Sequence, residues 1–173
     1  EVDYVRAWSG TATGGGPVSN GSTYRFTNKK DNKVLQESIE VFANNSTGRY
    51  VNAVPSNINT NVQKWKAVDV GSGYFRFESK SSNKAVTESL EVFSENADGR
   101  YVISIPTNTG WNSQKWRSID VGGGYHRLQN KLSGKMLTYS NEVFGGNSDA
   151  RYVIARTLNT SWDSQKWTID LSN

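Results

Sequence analysis

The chain has 173 residues, with 20 Lys and Arg against 16 Asp and Glu and a formal net charge of +4. With 12% aromatic residues, 16 Gly and no Cys, it reads as one β-rich, loop-rich domain without disulfides or thiolate metal sites. No apolar run approaches the roughly 20 residues of a membrane-spanning helix, and the small basic excess favours an anionic partner without requiring one.

The chain opens on Glu1 rather than Met and reads as a fragment or a processed product. Residues 1–8, EVDYVRAW, alternate apolar and polar side chains as a strand does. Residues 9–22, SGTATGGGPVSNGS, form a Gly/Ser/Thr linker with no core-forming residues. From residue 23 onward the sequence repeats itself. Segments 24–65, 75–116 and 126–167 align without a gap at an offset of 51. Fifteen positions are identical in all three copies: in the first, Arg25, Lys29, Lys33, Ser38, Glu40, Val41, Phe42, Asn45, Arg49, Tyr50, Val51, Asn57, Gln63, Lys64 and Trp65. Within a copy, four short strands are predicted, at 24–29, 33–38, 49–54 and 63–70, separated by turn-forming segments such as KKDN, ANNSTG and PSNINTN.

Three copies are too few for a propeller, and they are too alike for a solenoid, whose end repeats differ. The predicted fold is therefore all-β: a β-trefoil of twelve strands in three pseudo-symmetric repeats of 51 residues, about 23–73, 74–124 and 125–173. One word, Gln-x-Trp, closes each repeat: Gln63 with Trp65, Gln114 with Trp116, Gln165 with Trp167. On a strand, residues two apart share a face. The three Trp should meet near the threefold axis and fill the core, with each Gln amide satisfying backbone groups of the neighbouring turn.

Gln-x-Trp once per repeat resembles the ricin-B-type β-trefoil lectins and carbohydrate-binding modules, over 23–173. The 51-residue unit is longer than is usual there. With EVF…N…RYV before each Gln-x-Trp, it is most similar to the carbohydrate-binding modules of family 92. That resemblance implies binding of carrageenan or of β-1,3/β-1,6-glucan. EVDYVRAW resembles the last strand of family 16 glycoside hydrolases, among them carrageenases, agarases and laminarinases. This implies a hydrolase domain ahead of Glu1 and a secreted, bacterial parent enzyme; an edge strand packed on the trefoil is the alternative.

A sugar site needs an exposed aromatic platform with polar groups beside it. Trp111 and Trp162 hold equivalent positions in the polar loops before Gln114 and Gln165, and are the predicted platforms; the first copy carries Thr60 there. The polar groups expected around them are Glu88, Glu91, Lys80, Arg100 and Asn112 in the second repeat, and Glu142, Lys131, Arg151 and Asp163 in the third. A weaker first site would use Glu40, Lys29, Arg49 and Thr60. The recurring cations and glutamates also fit a structural role, as Arg–Glu pairs bridging strands. Residues 23–173 hold 19 bases and 14 acids, an excess that suits a sulfated galactan better than a neutral glucan, although carboxylates beside the Trp would repel sulfate.

Other functions fit less well. His126 is the sole histidine and aligns with Tyr24 and Phe75, so a catalytic triad has no second support. Glu37 with Glu40, and Glu88 with Glu91, split across the two faces of a strand, and Tyr139 replaces the first member in the third copy. Acids interspersed with the bases argue against nucleic acid. A protein-binding trefoil remains a second class. The expectation is a monomeric, non-catalytic polysaccharide-binding domain, with no cofactor, metal or membrane partner.

Overall fold

In the computed structural model, residues 18–172 are described. The strand expected at 1–8 and most of the 9–22 linker lie outside them. The remaining five linker residues are folded onto the trefoil. Val18 is buried in the core, the Gly21 N–H donates to the Ala67 carbonyl at 2.8 Å, and the Ala67 N–H donates to Ser22 at the same distance. Gly21 can bend there because its φ is +81°.

Twelve strands follow, four per repeat. The first repeat holds β1 (Thr23–Asn28), β2 (Val34–Phe42), β3 (Asn45–Val54) and β4 (Trp65–Asp69). The second holds β5 (Phe75–Ser79), β6 (Ala85–Phe93), β7 (Asn96–Ile105) and β8 (Trp116–Asp120), and the third β9 (His126–Asn130), β10 (Met136–Phe144), β11 (Asn147–Arg156) and β12 (Trp167–Leu171). The outer strands of each repeat pair around a closed ring, β1–β4–β5–β8–β9–β12 and back to β1, all antiparallel. The six barrel strands thus form a ring without a free edge. The inner pairs β2–β3, β6–β7 and β10–β11 are long hairpins. They close one end of the barrel through β3–β7, β7–β11 and β11–β3 contacts. This is a β-trefoil.

Burial alternates along the barrel strands, as the TYRFTN of β1 shows, so one face of each fills the interior. Trp65, Trp116 and Trp167 are fully buried there, and each indole N–H donates to a carbonyl of the adjoining hairpin, Leu35, Val86 or Leu137, at 2.9–3.1 Å. Those bonds fix barrel to cap once per repeat. The rings that meet one another in a triangle are tyrosines: Tyr50, Tyr101 and Tyr152, with centroids 6.1–6.2 Å apart, braced by Phe42, Phe93 and Phe144.

Two local expectations need correction. Gln63 does not share a strand face with Trp65: Asn61–Gln63, Asn112–Gln114 and Asp163–Gln165 are single 3-10 turns leading into β4, β8 and β12. The segment ANNSTG is not all turn, because β3 already begins at Asn45. A β-bulge between Glu37 and Val41 lets the hairpin run long, and Gly48 serves close packing. A Cβ there would sit 3.1 Å from Ile105 and 3.4 Å from Phe42.

Candidate functional site

The loop before each Gln-x-Trp is tied at both ends by side chains. In the second repeat Asn108 Oδ1 accepts the Gly110 N–H at 2.9 Å, an Asx turn. Gln114 Oε1 accepts the Asn108 N–H at 2.7 Å while its Nε2 donates to the Pro106 carbonyl at 3.0 Å. Trp111 sits between these anchors. Its N–H donates to Asn108 and its carbonyl accepts the Gln114 N–H, at 3.3 and 3.2 Å. The third repeat reproduces the scheme, with Gln165 holding Asn159 at 2.8 Å and the Thr157 carbonyl at 2.9 Å around Trp162. In the first repeat Gln63 holds Asn57 and Pro55 in the same way, and the presenting position is Thr60.

Beside each of these two Trp lies a cleft. The one at Trp111 holds about 570 Å³ and is walled by Glu88, Leu90, Ile103, Ile105, Asn112 and Leu132. The one at Trp162 holds about 600 Å³, with Tyr139, Asn141, Ile154, Arg156, Asp163 and Lys30 at the matching positions. Every residue lining the first has its threefold counterpart lining the second, so they are one site built twice. Glu95 and Glu142 add to the wall of the second.

Their chemistry differs. Trp111 is 48% exposed. Glu88 is buried, and one carboxylate oxygen accepts the Ser133 hydroxyl at 2.6 Å. Burial pushes its pKa above the ordinary carboxylate range, against the opposing pull of Ser133, Lys135 and Arg100. In the first repeat the matching Glu37 is saturated instead, accepting hydroxyls from Ser79, Ser82 and Ser104 at 2.6–2.7 Å. In the third, Tyr139 donates to Asp31 at 2.6 Å; burial, then the bond to and charge of Asp31, push its phenol upward. Trp162 is half-buried and carries the Arg156 guanidinium 4.6 Å from its ring centroid.

The polar residues on the 3-10 turns are held by the lysine of the repeated word. Lys115 Nζ donates to Asn112 at 3.2 Å, and Lys166 to Asp163 at 2.8 Å. Asp163 also takes Lys29 at 3.1 Å, and the two ammonium groups hold its pKa below the ordinary value.

The other sequence candidates line neither cleft. Arg49 and Arg100 donate to the bulge carbonyls of Ile39 and Leu90, and Arg151 donates to Ser148 and Ala150. Lys131 lies 5.0 Å over the Tyr74 ring, and the Lys80 N–H donates to the Lys64 carbonyl. Glu91 accepts the Asn44 side-chain amide, and Glu40 packs against Gly145 at the tip of the third hairpin. The invariant Lys33 and Lys135 reach the neighbouring repeat, at the Asp149 carbonyl and Asp98. Burial pushes Asp98 upward, but Lys135 and Thr157 outweigh it and hold the carboxyl at about 2.

Sequence reasoning missed Leu90, Ile105 and Leu132 and their counterparts Asn141, Arg156 and Lys30. They are positions where the copies differ. A search for recurring residues passes over them; the signal lay in comparing the copies for their disagreements.

A family model described as ricin-type beta-trefoil lectin domain-like matches residues 7–108. The chain belongs to that family. Domains of this family are generally non-catalytic. A designed threefold-symmetric protein, ThreeFoil, superposes with a TM-score of 0.69 at 30% identity, covering 86% of this chain and 97% of that one. An exo-β-1,3-galactanase from Clostridium thermocellum superposes with a TM-score of 0.70 at 23% identity, over 89% of this chain and 31% of the enzyme. The erythema protein SVEP of Simulium vittatum is 44% identical over 39 residues, 22% of this chain and 26% of that relative, so the match spans about a quarter of its length.

Proposed function

We propose that this lectin-like domain is a multivalent polysaccharide-binding module that holds a secreted hydrolase against its substrate. The observation that carries the reading is the pair of equivalent clefts, each with an indole on a loop locked by Asn and Gln. A pyranose can lay its C–H face on the indole while carboxylates and amides of the cleft take its hydroxyls. The net positive trefoil favours a sulfated galactan of the carrageenan type. The apolar walls around Trp111 favour the second reading, a neutral β-1,3/β-1,6-glucan. Attachment to a hydrolase is supported by the galactanase, 31% of whose chain matches this fold. A protein-binding trefoil would have no use for two sugar-sized clefts related by the repeat.

The test is affinity electrophoresis through gels containing carrageenans, agarose, laminarin or pustulan, at low and high salt. Retention by one of these polymers, abolished in the Trp111→Ala, Trp162→Ala double variant with its thermal unfolding unchanged, is the expected result. A double variant retained as strongly as the parent would overturn the reading.

A further inference from the structure

The two clefts occupy equivalent places in the fold, yet four positions of their walls differ in kind. From the Trp111 cleft to the Trp162 cleft, Ile105 becomes Arg156, Leu132 becomes Lys30, Leu90 becomes Asn141 and Glu88 becomes Tyr139. Two apolar residues give way to cations, a third to an amide, and the buried carboxylate gives way to a phenol already committed to Asp31. These four changes remove apolar or anionic character, while Asn112 becomes Asp163 and Glu95 and Glu142 join the second wall.

Arg156 is the centre of the difference. Its guanidinium carbon sits 4.6 Å over the Trp162 ring centroid. Its Nε forms an ion pair with Asp98 at 3.6 Å and, buried, makes no hydrogen bond. Asp98 is already filled by Lys135 and by the Thr157 amide and hydroxyl at 2.6–3.0 Å. An arginine held over an indole, its counter-ion already shared with Lys135, can present its terminal N–H groups to a tetrahedral or planar oxyanion in two-point contact. The acids of the same cleft are partly discharged. Asp163 is neutralised by Lys29 and Lys166. Glu95 and Glu142, which have no counterpart in the lining of the other cleft, are left as acceptors for sugar hydroxyls.

We propose that the clefts divide the work. The Trp162 cleft reads an acidic group on the sugar, a sulfate ester or a uronate carboxylate, through Arg156 with Lys30. The Trp111 cleft takes an uncharged sugar, stacked on the indole and donating a hydroxyl to Glu88. A polymer with acidic and neutral residues in succession then satisfies both. This rests on the reading that the clefts hold sugar, and deepens it by naming what each prefers.

The test is calorimetric titration of the parent, Arg156→Ile, Arg156→Lys and Trp111→Ala with paired probes. These are a carrageenan tetrasaccharide and its desulfated form, laminaritetraose and its sulfated form, and tetragalacturonate. Ile is the residue of the second repeat at this position, so the substitution is already accommodated by the fold, and thermal unfolding checks it. The expected result is that Arg156→Ile weakens the acidic probes roughly tenfold and leaves their neutral partners unchanged. Arg156→Lys should recover part of the loss, and Trp111→Ala should affect the neutral probes. Dependence on Arg156 for the sulfated probes alone identifies sulfate, and for tetragalacturonate alone identifies uronate. If sulfation brings no gain, or Arg156→Ile weakens both members of a pair equally, the division is wrong while the sugar-binding reading stands. If no probe binds the parent protein, both fall.

Discussion

At the residue scale, invariance between the copies follows the tasks that every lobe shares. Ser38, Ser89 and Ser140 each accept the N–H two residues on, at the bulge, at 3.0–3.1 Å. The Asn of Asn57, Asn108 and Asn159, the Gln of each repeated word and the buried Trp are likewise held in every copy because every lobe needs the same turn and the same core. Such residues were legible because their physical task is identical three times. Glu88 differs from Glu37 in its partners. It keeps the burial of Glu37 but only one of its three serine donors, since Asn130 and Ala155 replace Ser79 and Ser104. Burial raises its pKa, so the stability it contributes is fully present below the unfolded value of 4.5 and is lost as pH rises through the folded value. Once ionised, its charge is a cost to the empty protein. Glu88→Gln should raise the Tm by roughly 2 °C at pH 7, with the gap closing towards pH 4, and should weaken a neutral oligosaccharide roughly fivefold. Scanning calorimetry at both pH values with titration of laminaritetraose checks this; a lower Tm at both would make Glu88 a structural anchor instead.

At the scale of elements, the hairpins and 3-10 turns show where local sequence signals mislead. ANNSTG carries turn composition, yet only its first residues turn; Asn45 to Gly48 are strand, because the bulge extends the hairpin, and Gly48 packs closely on Ile105 and Phe42. Gln63 looked like a strand residue by its spacing from Trp65, and the structure puts it at the end of a single turn. That turn is what aims its amide back into the preceding loop. The loop is thus a rigid presenter whose key is a residue outside the cleft: Gln114 is buried and absent from the lining at Trp111. Gln114→Ala removes two buried bonds and should cost roughly 2–3 kcal/mol of stability. Because Trp111 loses its fixed position, it should also weaken binding at that cleft alone. Urea unfolding, with titrations of a neutral and an acidic oligosaccharide, separates the two effects. Equal weakening of both probes would point to a global loosening rather than a loop.

At the scale of the whole molecule, threefold symmetry sets how many sites the fold can offer and leaves their number and chemistry to the loops. The repeat interval made the trefoil readable from sequence. That the differing residues gather into two clefts was not readable, since it depends on separate segments: Lys30 and Leu132 reach the two clefts from another repeat. On the proposed reading, two clefts on one barrel change how a polymer is held. Once one cleft is occupied, the other meets the same chain at an effective concentration in the millimolar range. Weak individual sites then suffice, and losing one costs more on a polymer than on a fragment. Trp111→Ala or Trp162→Ala alone should leave the remaining cleft with its normal affinity for a tetrasaccharide, while retention on the insoluble polysaccharide falls roughly a hundredfold. Depletion assays on the polymer beside calorimetry on the fragment measure the two separately. A single variant that falls equally in both would mean that the clefts act one at a time, and the fixed spacing of the repeat would then serve the fold alone.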